Sequence, residues 1–358
     1  MKKFLAFATL ASVALVGCVN DEKMEMTSGA QKISFDNPVM STQTRAQYGE
    51  ITTSTYPTNE SFKVYAKQHE GALTDWESAT NFWEGALEAK YDGTTYWDTD
   101  QDYYWPNSDD NVCLSFGAYS PATLTGTPTV NCLNSGLKIE GFEVASTVAQ
   151  QVDLMYSGPI LDCKYTEATD FDGVDITFKH ALSSIVFSAI DADLNAEYTI
   201  KSIKVNGKFV TKGDFSEGLT NITDTGDKAD WSNKTATADT EYSLATGLNL
   251  LVNTTNTFIT EGTSALLTIP HTTSELTNAD ASVTIEYTVD PISGAADYDA
   301  TKTVKLADFK ISGSNSIENW SRGNRYIYQF SFGGTSKIFF APTVSPWGDG
   351  GTATVTIK

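Results

Sequence analysis

Asp98, Asp100 and Asp102 stand at alternate positions of one short stretch, Asp98-Thr99-Asp100-Gln101-Asp102, the spacing of the first, third and fifth ligands of a calcium loop. The rest of that loop is missing. Tyr103 holds the place that needs glycine for a sharp turn, and Asp109 stands twelfth instead of a bidentate glutamate. A solvated acidic loop is the preferred reading of 98–110, with ion binding as the lesser alternative. Tyr96, Trp97, Tyr103, Tyr104 and Trp105 flank the same carboxylates. Flat rings stack on apolar pyranose faces while neighbouring acids accept from hydroxyls, so Tyr96, Trp97, Tyr104 and Trp105 form a candidate glycan platform. The plainer alternative is that aromatics near Pro106 cap a core.

Catalytic chemistry finds no comparable foothold. The three histidines, His69, His180 and His271, lie far apart, and none has the close His or Cys spacing of a zinc site. His180, in Phe178-Lys179-His180-Ala181-Leu182, reads as a strand-edge or partly buried imidazole. No nucleophile elbow, phosphate loop or dinucleotide fingerprint occurs, and the glycines are scattered at turns. The expectation is a protein that is not an enzyme, with no catalytic residue, no cofactor and no metal site.

Two further residues carry chemistry done to the chain. Lys2 and Lys3 precede a short apolar run, Phe4 to Val16, that closes on Leu15-Val16-Gly17-Cys18. The run is too short to span a bilayer of ~30 Å as a helix and fits a cleaved signal core with a small residue before a lipidated cysteine. Residues 1–17 are therefore expected to be a lipoprotein signal peptide and Cys18 the lipid site. No later apolar run is long enough to span a membrane, so the lipid is the expected link to the outer membrane. Of the four cysteines this leaves Cys113, Cys132 and Cys163, an odd set. Buried thiols are preferred, with a single Cys113–Cys132 bridge as the alternative. The second residue is Arg45, followed by Ala46, in a Ser-, Thr- and Gln-rich stretch that is expected to be an exposed loop.

The formal charge of −21 and the isoelectric point near 4.4 exclude a nucleic-acid partner, which requires clustered Lys and Arg. With 358 residues, two domains of ordinary size are expected. Period-two alternation runs through Ser61–Ala66, Cys113–Ala118, Ile176–Phe178, Ile185–Phe187, Ile200–Val205, Val283–Val289 and Tyr326–Phe332, each predicting a strand. Only Trp76 to Tyr91 is compatible with a helix. Short strands separated by polar turns predict an all-β chain of antiparallel sandwiches. A polar stretch, Lys164 to Asp172, divides them at 168/169, and no internal repeat is convincing at the level of residues. A short first strand, Lys32-Ile33-Ser34-Phe35, precedes the body of the first domain.

Eight stretches, in order, give the chain a family likeness: the lipid-site motif at Cys18, Thr44-Arg45-Ala46, Tyr103-Tyr104-Trp105-Pro106, Ser115 to Pro121, Asp153-Leu154-Met155, Phe178 to Ser183, Trp320 to Tyr326, and Thr343 to Trp347. On these it resembles the fimbrillins of Bacteroidales, lipoprotein-derived type V pilins. Asp21 and Glu22, just behind Cys18, resemble the export tag of such lipoproteins. The resemblance implies two transthyretin-like β-sandwich domains in tandem, 46–168 and 169–358, after a propeptide, 18–45. It also implies surface delivery as an outer-membrane lipoprotein, proteolysis after an arginine, and polymerisation into fimbriae by strand exchange between pilin subunits.

On that scheme, a cut after Arg45 would release the first strand with its inward Ile33 and Phe35, leaving an unpaired edge that seeks a strand. The tail 337–358 is the candidate donor. Its last residues alternate Ala353, Val355 and Ile357 with threonines. Val355 and Ile357 alone supply at most about 6 kcal/mol against an association cost of about 4–15 kcal/mol. The expected donor therefore also includes Phe340, Val344 and Trp347. The leading expectation is a fimbrial subunit supporting adhesion through a host or microbial surface ligand. The alternative is a glycan-binding surface lipoprotein that does not polymerise.

Overall fold

A computed structural model describes residues 31–40, 56–106, 111–165, 173–192, 195–309 and 317–333, and the backbone pairing of Val344–Pro346 and Thr352–Ile357. The chain is all-β. Every strand expected from alternation is present, as Ser61–Glu70, Val112–Ser120, Thr177–His180, Ser183–Asp191, Ala196–Gly207, Ser282–Pro291 and Asn324–Phe332. Among the described residues the only α-helix is Thr273–Ala279, and no helix is long and apolar enough to cross a membrane.

That helix is not the one the sequence allowed. Trp76 to Tyr91 forms turns and the short strands Thr80–Asn81 and Leu87–Tyr91. Trp76 and Trp83 mimic a helical stripe, yet they enter two different cores. Asp75 turns the chain by accepting from the amides of Glu77 and Ser78 at 3.0 and 3.2 Å. The true helix starts at a capping box in which Glu275 accepts from the Thr272 amide at 2.8 Å, a Thr-x-x-Glu signature legible in the sequence.

Among the described residues four sheets carry the fold. The first runs in the order Val39–Met40, Thr177–His180, Met155–Cys163, Val112–Ser120, Ser61–Glu70, Leu87–Tyr91, Trp97–Thr99. The second is built on Ser183–Asp191 beside Asn324–Phe332, and the third on Ala196–Gly207 beside Ser282–Pro291. The fourth pairs Thr129–Leu133, Gly136–Glu143, Val210–Ser216 and Asp230–Ala236. Most pairing is antiparallel, as expected. Ser183–Asp191 with Asn324–Phe332, the latter with Thr352–Ile357, and Val39–Met40 with Thr177–His180 are parallel instead. Alternation sorts side chains to faces and is blind to strand direction.

Phe187, Ile200, Ile203, Val283, Ile285, Tyr328 and Phe330 fuse the second and third sheets around one core. Phe35, Phe62, Trp97, Phe116 and Phe178 fill the interior of the first. A third core, with Leu137, Phe142, Leu154, Phe215 and Trp231, packs the fourth sheet on the outside of the first. Val112–Ser120 is consequently buried on both faces. Pairing also crosses position 168/169, because Thr177–His180 sits in the first sheet and Gly136–Glu143 pairs with Val210–Ser216.

Candidate functional site

The first sheet has two ends, Trp97–Thr99 and Thr177–His180, and residues 31–40 join them. On one side Ile33 N donates to Tyr103 O at 2.8 Å, Trp105 N to Gln31 O at 3.0 Å, and Phe35 and Trp97 exchange both bonds at 2.9 Å. On the other, Asp36 N donates to Val174 O at 3.1 Å, Val174 N to Ser34 O at 2.9 Å, and Val39 N to Ile176 O at 3.0 Å. Phe35 is therefore bridged antiparallel to Trp97 and parallel to Val174 at once. The segment closes an otherwise open sheet.

Its side chains alternate as a strand's should. Ile33 is 2% and Phe35 0% exposed, with the Phe35 ring edge-on to Phe62 and Phe116 at 5.7 Å from each. Burying the pair is worth about 3–6 kcal/mol. Gly173 lets the segment in. It has φ of +98°, and a Cβ there would lie 2.5 Å from Asp36 N, closer than any side chain permits. Outside the core, Lys32 Nζ lies 2.7 Å from both Asp98 and Asp102. Burial pulls the lysine pKa down, but hydrogen bonds to Asp102 and Asp98 outweigh it and hold the ammonium above its usual value.

Asp98, Asp100 and Asp102 are thus paired with lysines. Asp98 and Asp102 converge on Lys32, and Asp100 pairs with Lys90 at 3.4 Å. The glycan platform is corrected in turn. Trp97 and Trp105 are 1% and 6% exposed and pack against Tyr56 and Phe116, so neither offers a ring face to a sugar, while Tyr96 and Tyr104 are half-buried. A core wall is what these tryptophans form.

Val344, Val355 and Ile357 lie opposite Tyr326, Phe330 and Phe332 along the outer edge of the second sheet. Cys18, Arg45, Ala46, Phe340 and Trp347 fall outside the described residues, as does Asp109. Cys113, Cys132 and Cys163 are free thiols. Cys113 is buried and the other two half-buried, with burial pushing Cys163 up to about 11.

His180 is fully buried and pairs through Nδ1 with Asp153 at 2.9 Å, so the stretches around Asp153 and His180 meet in one contact. His271 donates from Nδ1 to Ile269 O and accepts on Nε2 from Val210 N at 3.0 Å. Burial pushes it down to about 4. His69 bonds Gly71 O and Ser115 Oγ at 2.9 and 2.8 Å. All three rings are held by partners within the protein. Arg322 binds the Tyr156 hydroxyl at 2.6 Å and Asp227 at 2.8 Å, while Trp320 Nε1 donates to Tyr328 at 3.1 Å. Gly173 and the lysine clamp are the features that sequence reasoning missed. The alternation of Asp98 and Asp100 around Thr99 was a signal for the clamp's outward face.

A family model described as fimbrillin-like matches residues 44–347, most of the chain. The chain belongs to the fimbrillin-like family. No curated protein matches it. Among solved structures, this fimbrillin-like chain is similar to a protein of proposed cell-adhesion role from Bacteroides uniformis ATCC 8492, at 14% identity and a TM-score of 0.46, with 90% of this chain and 100% of that one covered. A second such protein, from Bacteroides ovatus ATCC 8483, gives 14% identity and a TM-score of 0.43 over 92% of this chain and 99% of that one. A third, from Parabacteroides distasonis ATCC 8503, gives 13% and 0.39 over 86% and 89%.

Proposed function

We propose that this fimbrillin-like chain is a structural, non-enzymatic subunit of a cell-surface fimbria. In this reading it is exported as an outer-membrane lipoprotein on Cys18, cut between Arg45 and Ala46, and polymerised by donor-strand exchange in the service of adhesion. The observation that carries the proposal is the closure of the first sheet by residues 31–40, which pair along both of its ends. A segment that precedes Arg45 and supplies backbone partners to two edges leaves both unpaired when it goes. Such edges recruit another strand.

The proposal keeps residues 18–45 as propeptide and assigns 46–168 and 169–358 to two transthyretin-like units that share strands across their boundary. It takes the tail 337–358 as donor. Val344–Pro346 and Thr352–Ile357 pair on the outside of Asn324–Phe332, so their departure opens an edge and leaves the pairing with Ser183–Asp191 intact. Arg45→Ala is expected to abolish polymers while lipidated monomer accumulates, read by electron microscopy and by the N-terminus of surface protein. Fibres assembled from that variant would refute the maturation scheme.

A further inference from the structure

The pattern Lys-Ile-x-Phe occurs twice in this chain, as Lys32-Ile33-Ser34-Phe35 and as Lys337-Ile338-Phe339-Phe340. Extending the alignment without a gap places Val344 on Val39. A short match of this kind carries little weight as sequence. In the fold, however, each matched residue has its own role, with Lys32 in the Asp98 and Asp102 clamp, Ile33 and Phe35 in the core, and Val39 on the backbone of Ile176.

We infer that residues 336–344 of a second copy occupy the seat of residues 31–39, in the same direction and register, with Lys337 in the carboxylate clamp. The inference rests on the strand-exchange reading and specifies its partner segment, polarity and charge.

The backbone supports this register. The seated segment donates to its neighbours from the amides of residues 33, 35, 36 and 39. Their counterparts are Ile338, Phe340, Ala341 and Val344, all of which carry an N–H. The one proline in the window, Pro342, falls on Asn37, whose amide bonds only its neighbour's side chain, Asp36 Oδ1 at 2.7 Å. Phe339 replaces Ser34 at a half-buried position. Polarity follows too, because an incoming strand with this residue order must lie antiparallel to Trp97 and parallel to Val174, as residues 31–39 do.

Charge gives the seat its selectivity. Once Lys32 leaves, Asp98 and Asp102 lose a cation held at 2.7 Å from each. A strand with an apolar or acidic residue there would leave two carboxylates uncompensated. Each copy owns one seat and one matching tail, a head-to-tail arrangement that does not close and so propagates as a filament.

The test uses the full chain with a site-specific protease sequence in place of 43–46. After cutting, the retained leading fragment carries a fluorophore, and synthetic peptides of residues 335–346 are titrated against it. The wild-type peptide is expected to displace the fragment, and the Lys337→Glu peptide to need at least about tenfold more. In a chain carrying Asp98→Asn and Asp102→Asn, the two peptides should become equivalent. Equal displacement by both peptides from the unaltered chain overturns the register. If no tail peptide displaces the fragment while the cut chain still forms filaments, strand exchange survives and this seat assignment falls. If neither occurs, both fall. Displacement in a cut chain that stays monomeric by light scattering means that each tail fills its own seat, which overturns the second-copy assignment.

Discussion

Two buried acid–base groups show how position sets behaviour at the scale of single residues. Glu217 is 4% exposed and accepts from Leu137 N at 2.6 Å. Burial pushes it up to about 7, against the opposing hydrogen bond and the attraction of Lys179. A carboxyl raised on folding contributes stability that is complete below its unfolded value near 4.5 and is lost as pH rises through about 7. His271, held neutral with its pKa lowered to about 4, acts oppositely: its contribution is lost as pH falls from about 6.5 towards 4. The two windows overlap, so the parent's pH profile mixes them and the difference from a variant isolates one. Glu217→Gln should leave stability near the parent's at pH 4.5 and exceed it by about 3 kcal/mol at pH 8, measured by urea unfolding at both pH values. A constant difference across that range would show that Glu217 does not titrate as its burial dictates.

At the scale of elements, the seated segment and the glycine beneath it form one device. Strand alternation marks Ile33 and Phe35 as inward, and that much was legible. Gly173 was not, because a glycine after a polar stretch reads as an ordinary turn, whereas here it permits backbone contact with Asp36. Gly173→Val should drive residues 31–40 from the sheet. Hydrogen exchange at the amides of Ile33, Phe35 and Asp36 is expected to rise by at least about tenfold, while those of Val112–Ser120 stay protected. Unchanged exchange at the three amides would contradict the close approach. The misread Trp76–Tyr91 teaches the same lesson: two tryptophans at helical spacing served two cores, and spacing carries no information about which core each will join.

At the scale of the whole molecule, the family-like motifs join sheets. Arg322, in the turn before Asn324–Phe332, reaches Tyr156 of the first sheet and Asp227 beside the fourth, and its guanidinium lies 5.5 Å from the Tyr156 ring centre. Arg322→Ala removes those contacts and leaves the exposed carboxylate of Asp227 without its cation. A loss on the order of 1 kcal/mol is expected in urea unfolding, with the strand content by circular dichroism unchanged. An unaltered midpoint would mean that apolar packing alone holds the sheets together.

The sequence by itself determined the β-rich class, the seven alternating strands and the family, because side-chain period and motif order are local properties written along the chain. It also marked Ile33 and Phe35 as one face of a strand. Only the tertiary structure decided that this strand bridges both ends of its sheet, that Trp97 and Trp105 face inward, and that Asp98 and Asp102 converge on Lys32. Each of these depends on which distant segments meet, and pairing partners are fixed by the closure of the sheet rather than by any pattern within a strand.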